Sequence, residues 1–452
     1  MWILGGDTCF RKDMMQSIPA LVQVLVIFSL VVFATTRKVH LGLAATLGGM
    51  ALGLWRGLSP AAIFGYVVME LVKADTLLLL VLIIGIMAFS AAMKRSGGMD
   101  AFSKALEGIT PSSRIAMATA PLLIGTLPMP GGAILSAPLV DAMDPGRSRG
   151  RETLSAANYW FRHNLELVWP LYPSFVLSAS ITGLSVGRLM TLNAYSLPIL
   201  FFLGLIFILP KVSTGSGERA AVALERPAFA KRLAQFGHSV MPLALLLGSY
   251  VVVDILWRFF SPALTLDADT RTVLGRYLPI LTGIVVGSAA IWFGPAGFGA
   301  FRGSVSGNTL KLVAVVAGIR IFSTLISIGG VAAAAAGELA AAGIPALVAV
   351  ALLPFIAALV TGIGFGYVGL AFPIVLGLVP EGGAFPREAA IVLAGAFGYA
   401  GMMLSPLHVC MVVSAEHFGT GIVATIRRFA IPLGAFLVIA LAYVWILSVA
   451  LS

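Results

Sequence analysis

Between Ile115 and Val140 the chain is almost wholly apolar, yet the middle of that run reads Thr126-Leu127-Pro128-Met129-Pro130-Gly131-Gly132. Proline removes an amide donor and clashes with the preceding turn, and glycine weakens a helix. Two of each within five positions therefore predict two half-helices reversing at a Pro/Gly tip, rather than one kinked helix. Hydrocarbon cannot satisfy the backbone groups such a tip exposes. Broken backbone at membrane depth persists only where it is buried in protein or lines a wet cavity.

Composition places the tip in a membrane. Of 452 residues, 59% are hydrophobic and 11% charged, too few charges to solvate a globular surface of this size. The net charge of +10 sits in short links between apolar runs, as expected of cytoplasmic loops, so a nucleic-acid partner is not expected. Cys9 and Cys410 lie far apart, one in a leader over residues 1–17 and one inside an apolar run, which argues against a disulfide framework or a paired-cysteine metal site. The first run, Ile18 to Ala34, follows Arg11 and Lys12 and faintly resembles a cleavable signal. The many equally apolar runs after it favour a retained crossing, with Met14 and Met15 as alternative starts.

Segments long enough to cross a bilayer run Ile18–Thr35, Leu41–Leu58, Thr76–Met93, Leu154–Gly183 and Leu192–Leu209. After a polar, basic link over 211–238 the order recurs as Val240–Phe260, Tyr277–Phe293, Thr309–Ile328, Glu388–Phe418 and Phe429–Leu451. A second broken element, Ile344–Val379, occupies the place of the first hairpin. Landmarks align in one order at a nearly constant offset: Thr76-Leu77 with Thr309-Leu310, Phe89-Ser90 with Phe322-Ser323, Gly131 with Gly366, Pro138 with Pro373, and Pro170-Leu171 with Pro406-Leu407. The chain thus divides into repeat one over 18–210, a cytoplasmic linker over 211–238, and repeat two over 239–452. Stretches Gly97–Gly108 and Ala332–Ala341 are too short to span and are expected to be interfacial helices.

Each repeat has an odd number of crossings, so the second copy enters the membrane inverted. The predicted fold is an all-α polytopic membrane protein of two inverted-topology repeats, each with five crossings, one re-entrant hairpin and one broken helix. Loop charge gives the sidedness. Arg37, Lys38, Lys94, Arg95, Arg147, Arg149, Arg151, Lys211, Arg302, Arg427 and Arg428 fall on one side, which is cytoplasmic by the positive-inside rule, and both termini then face outward.

Polar residues gather at the breaks. The fourth crossing carries Arg162, His163, Asn164 and Glu166 just before Trp169-Pro170-Leu171-Tyr172-Pro173. A charge at that depth costs about 3 kcal/mol unless paired or wet, which marks Arg162, His163 and Glu166 as candidates for ion coupling. An Arg-Glu pair serving only structure is the alternative. In repeat two, Ser405-Pro406-Leu407-His408 sets His408 at the position of Tyr172. The second tip, Thr361-Gly362-Ile363-Gly364-Phe365-Gly366-Tyr367, alternates glycine with bulk and offers amides to an anion. The substrate-facing set is then Thr126, Pro130, Gly131, Gly132, Asn164, Tyr172, Thr361, Gly364, Gly366, Tyr367, Ser405 and His408, expected around one cavity. Arg320, aligned with Met87, either neutralises a substrate carboxylate or pairs with a carboxylate of the chain.

The runs Leu127-Pro128-Met129-Pro130-Gly131-Gly132, Asn158-Tyr159-Trp160-Phe161-Arg162-His163, Trp169-Pro170-Leu171-Tyr172-Pro173 and Leu404-Ser405-Pro406-Leu407-His408 resemble domain-of-unknown-function family 401 of prokaryotic membrane proteins. More distantly, the paired hairpins and broken crossings are similar to the ion transporter superfamily of gluconate, lactate, citrate and dicarboxylate permeases. That resemblance implies a homodimer in the cell inner membrane, with a scaffold domain and a transport domain that moves as an elevator. The dicarboxylate branch carries Ser-Asn-Thr triplets at its sodium sites, and this chain has none at the matching breaks.

The leading expectation is a secondary transporter of a small organic anion, a carboxylate, coupled to protons or sodium and needing no cofactor. A cation/proton antiporter would want paired carboxylates at the breaks, where only Glu166 stands. An intramembrane enzyme would need a nucleophile with its base or a compact set of metal ligands, and no such motif is present along the chain.

Overall fold

The computed structural model describes residues 18–98, 112–127, 132–144, 148–211, 229–383 and 385–452. The leader, the first interfacial stretch beyond residue 98, most of the linker, and Pro130 and Gly131 lie outside the described residues. Every regular element among the described residues is helical. Seven helical stretches are long and apolar enough to cross a membrane: Ala74–Arg95, Val186–Ile208, Val240–Ala263, Ala268–Trp292, Gly307–Ile328, Arg387–His417 and Ile422–Leu451. The chain is a multi-pass α-helical membrane protein.

In chain order the helices are α1 (Ala20–Thr36), α2 (Leu41–Trp55), α3 (Pro60–Val72), α4 (Ala74–Arg95), α5 (Ser113–Ile124), α6 (Ala133–Ala142), α7 (Arg151–Arg162), α8 (Pro173–Thr182), α9 (Val186–Asn193) and α10 (Ser196–Leu203). There follow α11 (Phe229–Phe260), α12 (Ala268–Trp292), α13 (Gly307–Ile328), α14 (Val331–Ala341), α15 (Ala346–Thr361), α16 (Gly364–Leu378), α17 (Arg387–Leu404), α18 (Val409–His417) and α19 (Ile422–Leu451). Helix α3 lies between two of the segments expected to cross and is not among them. Ser59 starts it, its Oγ accepting from the Ala62 amide at 3.2 Å, and Pro60 occupies the first helical position, where no amide is needed. The second stretch expected at the interface is α14, and the Glu338 carboxylate on it accepts from the Ala20 and Leu21 amides at 2.6 and 2.8 Å, satisfying the open end of α1.

Helices meet without a hydrophobic drive inside a bilayer, so small residues decide how close they come. A Cβ on Gly42 of α2 would lie 2.2 Å from the Ala314 carbonyl oxygen of α13, and one on Gly318 would lie 2.1 Å from the Gly42 oxygen. The backbones touch there. Packing is reciprocal between the halves of the chain: α2 lies on α13 and α4 on α12, while α8 packs on α16 and α18 on α6.

Polar links tie the helix ends together. Arg95 binds the carbonyls of Ala300 and Gly303, Arg149 donates to the Pro210 carbonyl at 3.0 Å, and Arg428 approaches Glu152. Arg56 donates to the Gly329 carbonyl at 3.2 Å and Arg188 pairs with Glu388.

Candidate functional site

Both expected breaks are present. Helix α7 stops at Arg162 and α8 begins at Pro173; α17 stops at Leu404 and α18 begins at Val409. The first gap is buried, so its backbone must be satisfied internally. Successive turns do this: Glu166 donates to the His163 carbonyl at 3.0 Å, Trp169 to Leu165 at 2.9 Å and Tyr172 to Trp169 at 3.1 Å.

The first helix pair, α5–α6, packs against this gap. The Trp169 indole donates to the Thr126 carbonyl at 2.7 Å, while the Thr126 hydroxyl donates to Leu123. Gly132 precedes α6, and a Cβ placed there would fall 2.2 Å from an Arg162 guanidinium nitrogen. Arg162, 3% exposed, thus lies against the start of α6. Tyr172 Oη donates to the Arg162 carbonyl at 3.4 Å.

The second pair, α15–α16, turns at Gly362, whose φ of 68° favours glycine and whose missing Cβ leaves room for the His408 amide, 2.9 Å from where it would stand. The Gly362 carbonyl lies 2.6 Å from His408 Nδ1. Gly364 opens α16 against break one: a Cβ there would meet Ser174 Oγ at 2.8 Å and Glu166 Oε1 at 2.9 Å, and Ser174 itself donates to Glu166 at 3.0 Å. The chain's own carboxylate therefore stands at this helix start, where a substrate carboxylate was expected. Gly366 also departs from expectation, because its amide donates to the Ile363 carbonyl at 3.0 Å and its Cα faces the Thr361 side chain. The Thr361 hydroxyl donates to Ala357, and Ser405 Oγ accepts from the Leu407 amide at 3.2 Å.

The two breaks meet at a histidine pair. His163 Nε2 and His408 Nε2 are 3.0 Å apart, and His163 Nδ1 is 2.7 Å from the Tyr159 carbonyl. A carbonyl oxygen only accepts, so each Nδ1 carries a proton and the two Nε2 atoms face each other. Two bare lone pairs at that distance repel, so the contact calls for a proton on one Nε2 or a metal ion between them. Cys410 completes the group: the three ligand atoms lie within 4.8 Å of one another, all buried. The fold assembles the set from His163 at one break and His408 and Cys410 at the other, His408 lying 245 positions from His163, so no compact ligand motif is seen along the chain. The His408-x-Cys410 spacing after Pro406 was the available signal.

Asn164 stays out of this group: with its side-chain amide turned to match its neighbours, the nitrogen donates to the Trp160 carbonyl at 2.8 Å and the oxygen accepts from the Phe201 amide at 3.3 Å. A narrow cavity of about 20 Å³, room for about one water, adjoins Glu166, with Ser174, Ser178, Asn193 and Tyr367 in its wall. It is bounded by break one, α8, α9, α16 and α17. Arg320 is settled: it pairs with Glu70 and Asp75 at 2.7 and 2.9 Å, away from the breaks.

A family model described as a protein of unknown function, DUF401, matches residues 20–258 and 301–450. The chain belongs to the DUF401 family. A comparison with curated proteins finds no match. Among solved structures, the YdaH transporter of Alcanivorax borkumensis, described as having an unusual topology, matches with a TM-score of 0.54 at 15% identity over 81% of this chain and 84% of that one. At that identity the likeness is one of fold, and this DUF401 protein shares it over most of its length.

Proposed function

We propose that this protein is a secondary active transporter of a small organic anion, a carboxylate, coupled to protons or sodium. The observation that carries the reading is Arg162 set against Gly132 at the start of α6. A helix N-terminus carries roughly half a positive charge, and a guanidinium adds a full one. Two positive poles gathered in a buried place between broken helices form a seat for a carboxylate, with Arg as the side chain best suited to grip it in two-pronged fashion. The fold shared with the YdaH transporter supports the same reading.

Glu166 is the coupling residue in this proposal. It sits at the opening of α16, beside the small cavity, on the same break as Arg162, and so links the charge state of the site to the second helix pair. The reciprocal packing of α8 on α16 and α18 on α6 supports two inverted repeats over 18–210 and 239–452 joined by a cytoplasmic linker. Gly183 and Gly419, at aligned positions, both have positive φ, as do Gly97 and Gly330. The α5–α6 and α15–α16 pairs are then re-entrant hairpins, and the moving unit of an elevator, in a homodimer in the inner membrane, comprises both pairs and both breaks.

A single carboxylate at the breaks disfavours cation/proton antiport. Uptake of labelled organic acids into proteoliposomes, with and without imposed proton or sodium gradients, tests the proposal. Accumulation of an acid driven by one gradient supports it; exchange of cations for protons without anion uptake would replace it with the antiporter.

A further inference from the structure

The geometry points to a metal site at the meeting of the two breaks: His163, His408 and Cys410 form a binding site for one d10 cation of the thiolate- and imidazole-preferring class, Zn²⁺ or Cu⁺. This inference does not rest on the transport reading.

Three independent features converge on it. The first is the tautomer. Both Nδ1 atoms are committed to backbone carbonyls, Tyr159 at 2.7 Å and Gly362 at 2.6 Å, which is how metal-ligating histidines are usually held, with the far nitrogen donating to a carbonyl and the near one free to ligate. The second is the approach of the near nitrogens. At 3.0 Å two lone pairs repel, but ligands held about 2.0 Å from a common tetrahedral or trigonal ion stand only a little farther apart than this. The third is Cys410. A proton shared between two nitrogens would explain the rings alone, whereas the thiol, buried and within 4.8 Å of both nitrogens, supplies a third donor and, once ionised, the negative charge that a buried cation needs.

The donor set chooses the ion. Na⁺, Mg²⁺ and Ca²⁺ want oxygen ligands, while two imidazoles and a thiolate suit Zn²⁺ and Cu⁺. Cu⁺ with one thiolate is neutral as a three-coordinate centre. Zn²⁺ would leave one positive charge, and Glu166, buried on the same break three residues after His163, is the carboxylate available to balance it. Tyr159 packs both rings, with centroids 4.7 Å from His163 and 5.4 Å from His408, and holds them in this relation. A bound ion would clasp the end of α7 to the start of α18.

The test uses the full chain, purified in detergent through a histidine-free tag and without chelator. Metal is counted by mass spectrometry after loading with Zn²⁺ in air, or with Cu⁺ under anaerobic reductant, followed by desalting. The expected result is about one ion per chain, with X-ray absorption placing sulfur at about 2.3 Å and nitrogen at about 2.0–2.1 Å from it. Cys410→Ser and His408→Gln should each lose most of that metal while eluting as monodisperse protein. If either variant fails to fold, the ligand set read from the wild-type absorption spectrum decides alone. Metal that stays with Cys410→Ser, a spectrum with only oxygen neighbours, or metal-free protein under both loadings overturns the site. In that last case a shared proton accounts for the histidine contact.

Discussion

Arg320 of α13 reaches across to Glu70 of α3, its Nε 2.8 Å and its Nη2 2.7 Å from the same carboxylate oxygen, and both side chains are almost fully shielded. Around them Thr76 and Thr324 donate to Glu70 at 2.7 and 2.8 Å, Ser180 accepts from Arg320, and Arg276 pairs with Asp75. Every element of this network comes from the helices that surround the breaks rather than from the breaks themselves, and it fastens α3, α4, α8, α12 and α13 together.

A wholly stranded buried charge costs about 3–5 kcal/mol. Glu70→Ala removes the carboxylate shared by Arg320, Thr76 and Thr324 but leaves Arg320 with Asp75 at 2.9 Å, so it should lower the unfolding midpoint of the detergent-solubilised protein clearly, by less than that full cost. Lys73, whose side chain is 56% exposed while it touches the same carboxylate, contributes little by comparison, and Lys73→Met should change stability by about 1 kcal/mol or less. Thermal unfolding followed by tryptophan fluorescence separates the two. Equal, small effects would mean that the network does not hold these five helices together.

Gly132→Ala inserts a methyl group where the Arg162 guanidinium lies. The flexible end of the arginine moves aside and the protein still folds, but the carboxylate seat loses one charge-assisted contact. Such contacts are worth about 1.5–3 kcal/mol, so the affinity for the anion should fall roughly 10- to 150-fold. Gly434→Ala, on a part of α19 with nothing within 4 Å of the new methyl, should bind normally. Equilibrium binding of the labelled anion identified by uptake gives the comparison, and unchanged affinity in Gly132→Ala moves the site elsewhere.

Glu166→Gln keeps the hydrogen-bond length to Ser174 available while abolishing the charge. Gradient-driven accumulation should fall to the level without a gradient, while counterflow exchange of the anion persists. Full gradient-driven accumulation in this variant would assign Glu166 to the support of α16 alone.

Single cysteines at Gly303 and Gly382 test the sidedness. An impermeant thiol reagent added to intact cells should label the second and spare the first until the membrane is opened. The opposite pattern would invert the assignment, and labelling of both from outside would break the parity on which the inverted repeats rest.

Much of the fold was legible in order along the chain. Pro173 opens α8 and Pro406 follows the end of α17, because a missing amide donor is a local property, whereas Pro121, Pro138, Pro354 and Pro373 are carried inside helices. Apolar length likewise marks the long helices α4, α12, α13 and α19 without reference to neighbours. Helix α3 escaped notice since at 13 residues it is too short to signal a crossing, and the value of Glu70 on it depends on Arg320, 250 positions away.

The candidate site divides the same way. Which residues are costly at membrane depth follows from their chemistry, so Arg162, His163, Glu166 and His408 could be picked out with no structure. Which of them touch could not. His163 and His408 are 245 positions apart, and only the packing of α7 against α18 brings their ring nitrogens to 3.0 Å and adds Cys410 beside them. The start of α16 was expected to await a ligand and instead faces Glu166, because α8 lies on α16 in the folded chain. Sequence determines where a helix must break and which side chains cannot be left alone in hydrocarbon; the partner each one finds is a through-space property, decided when distant segments pack.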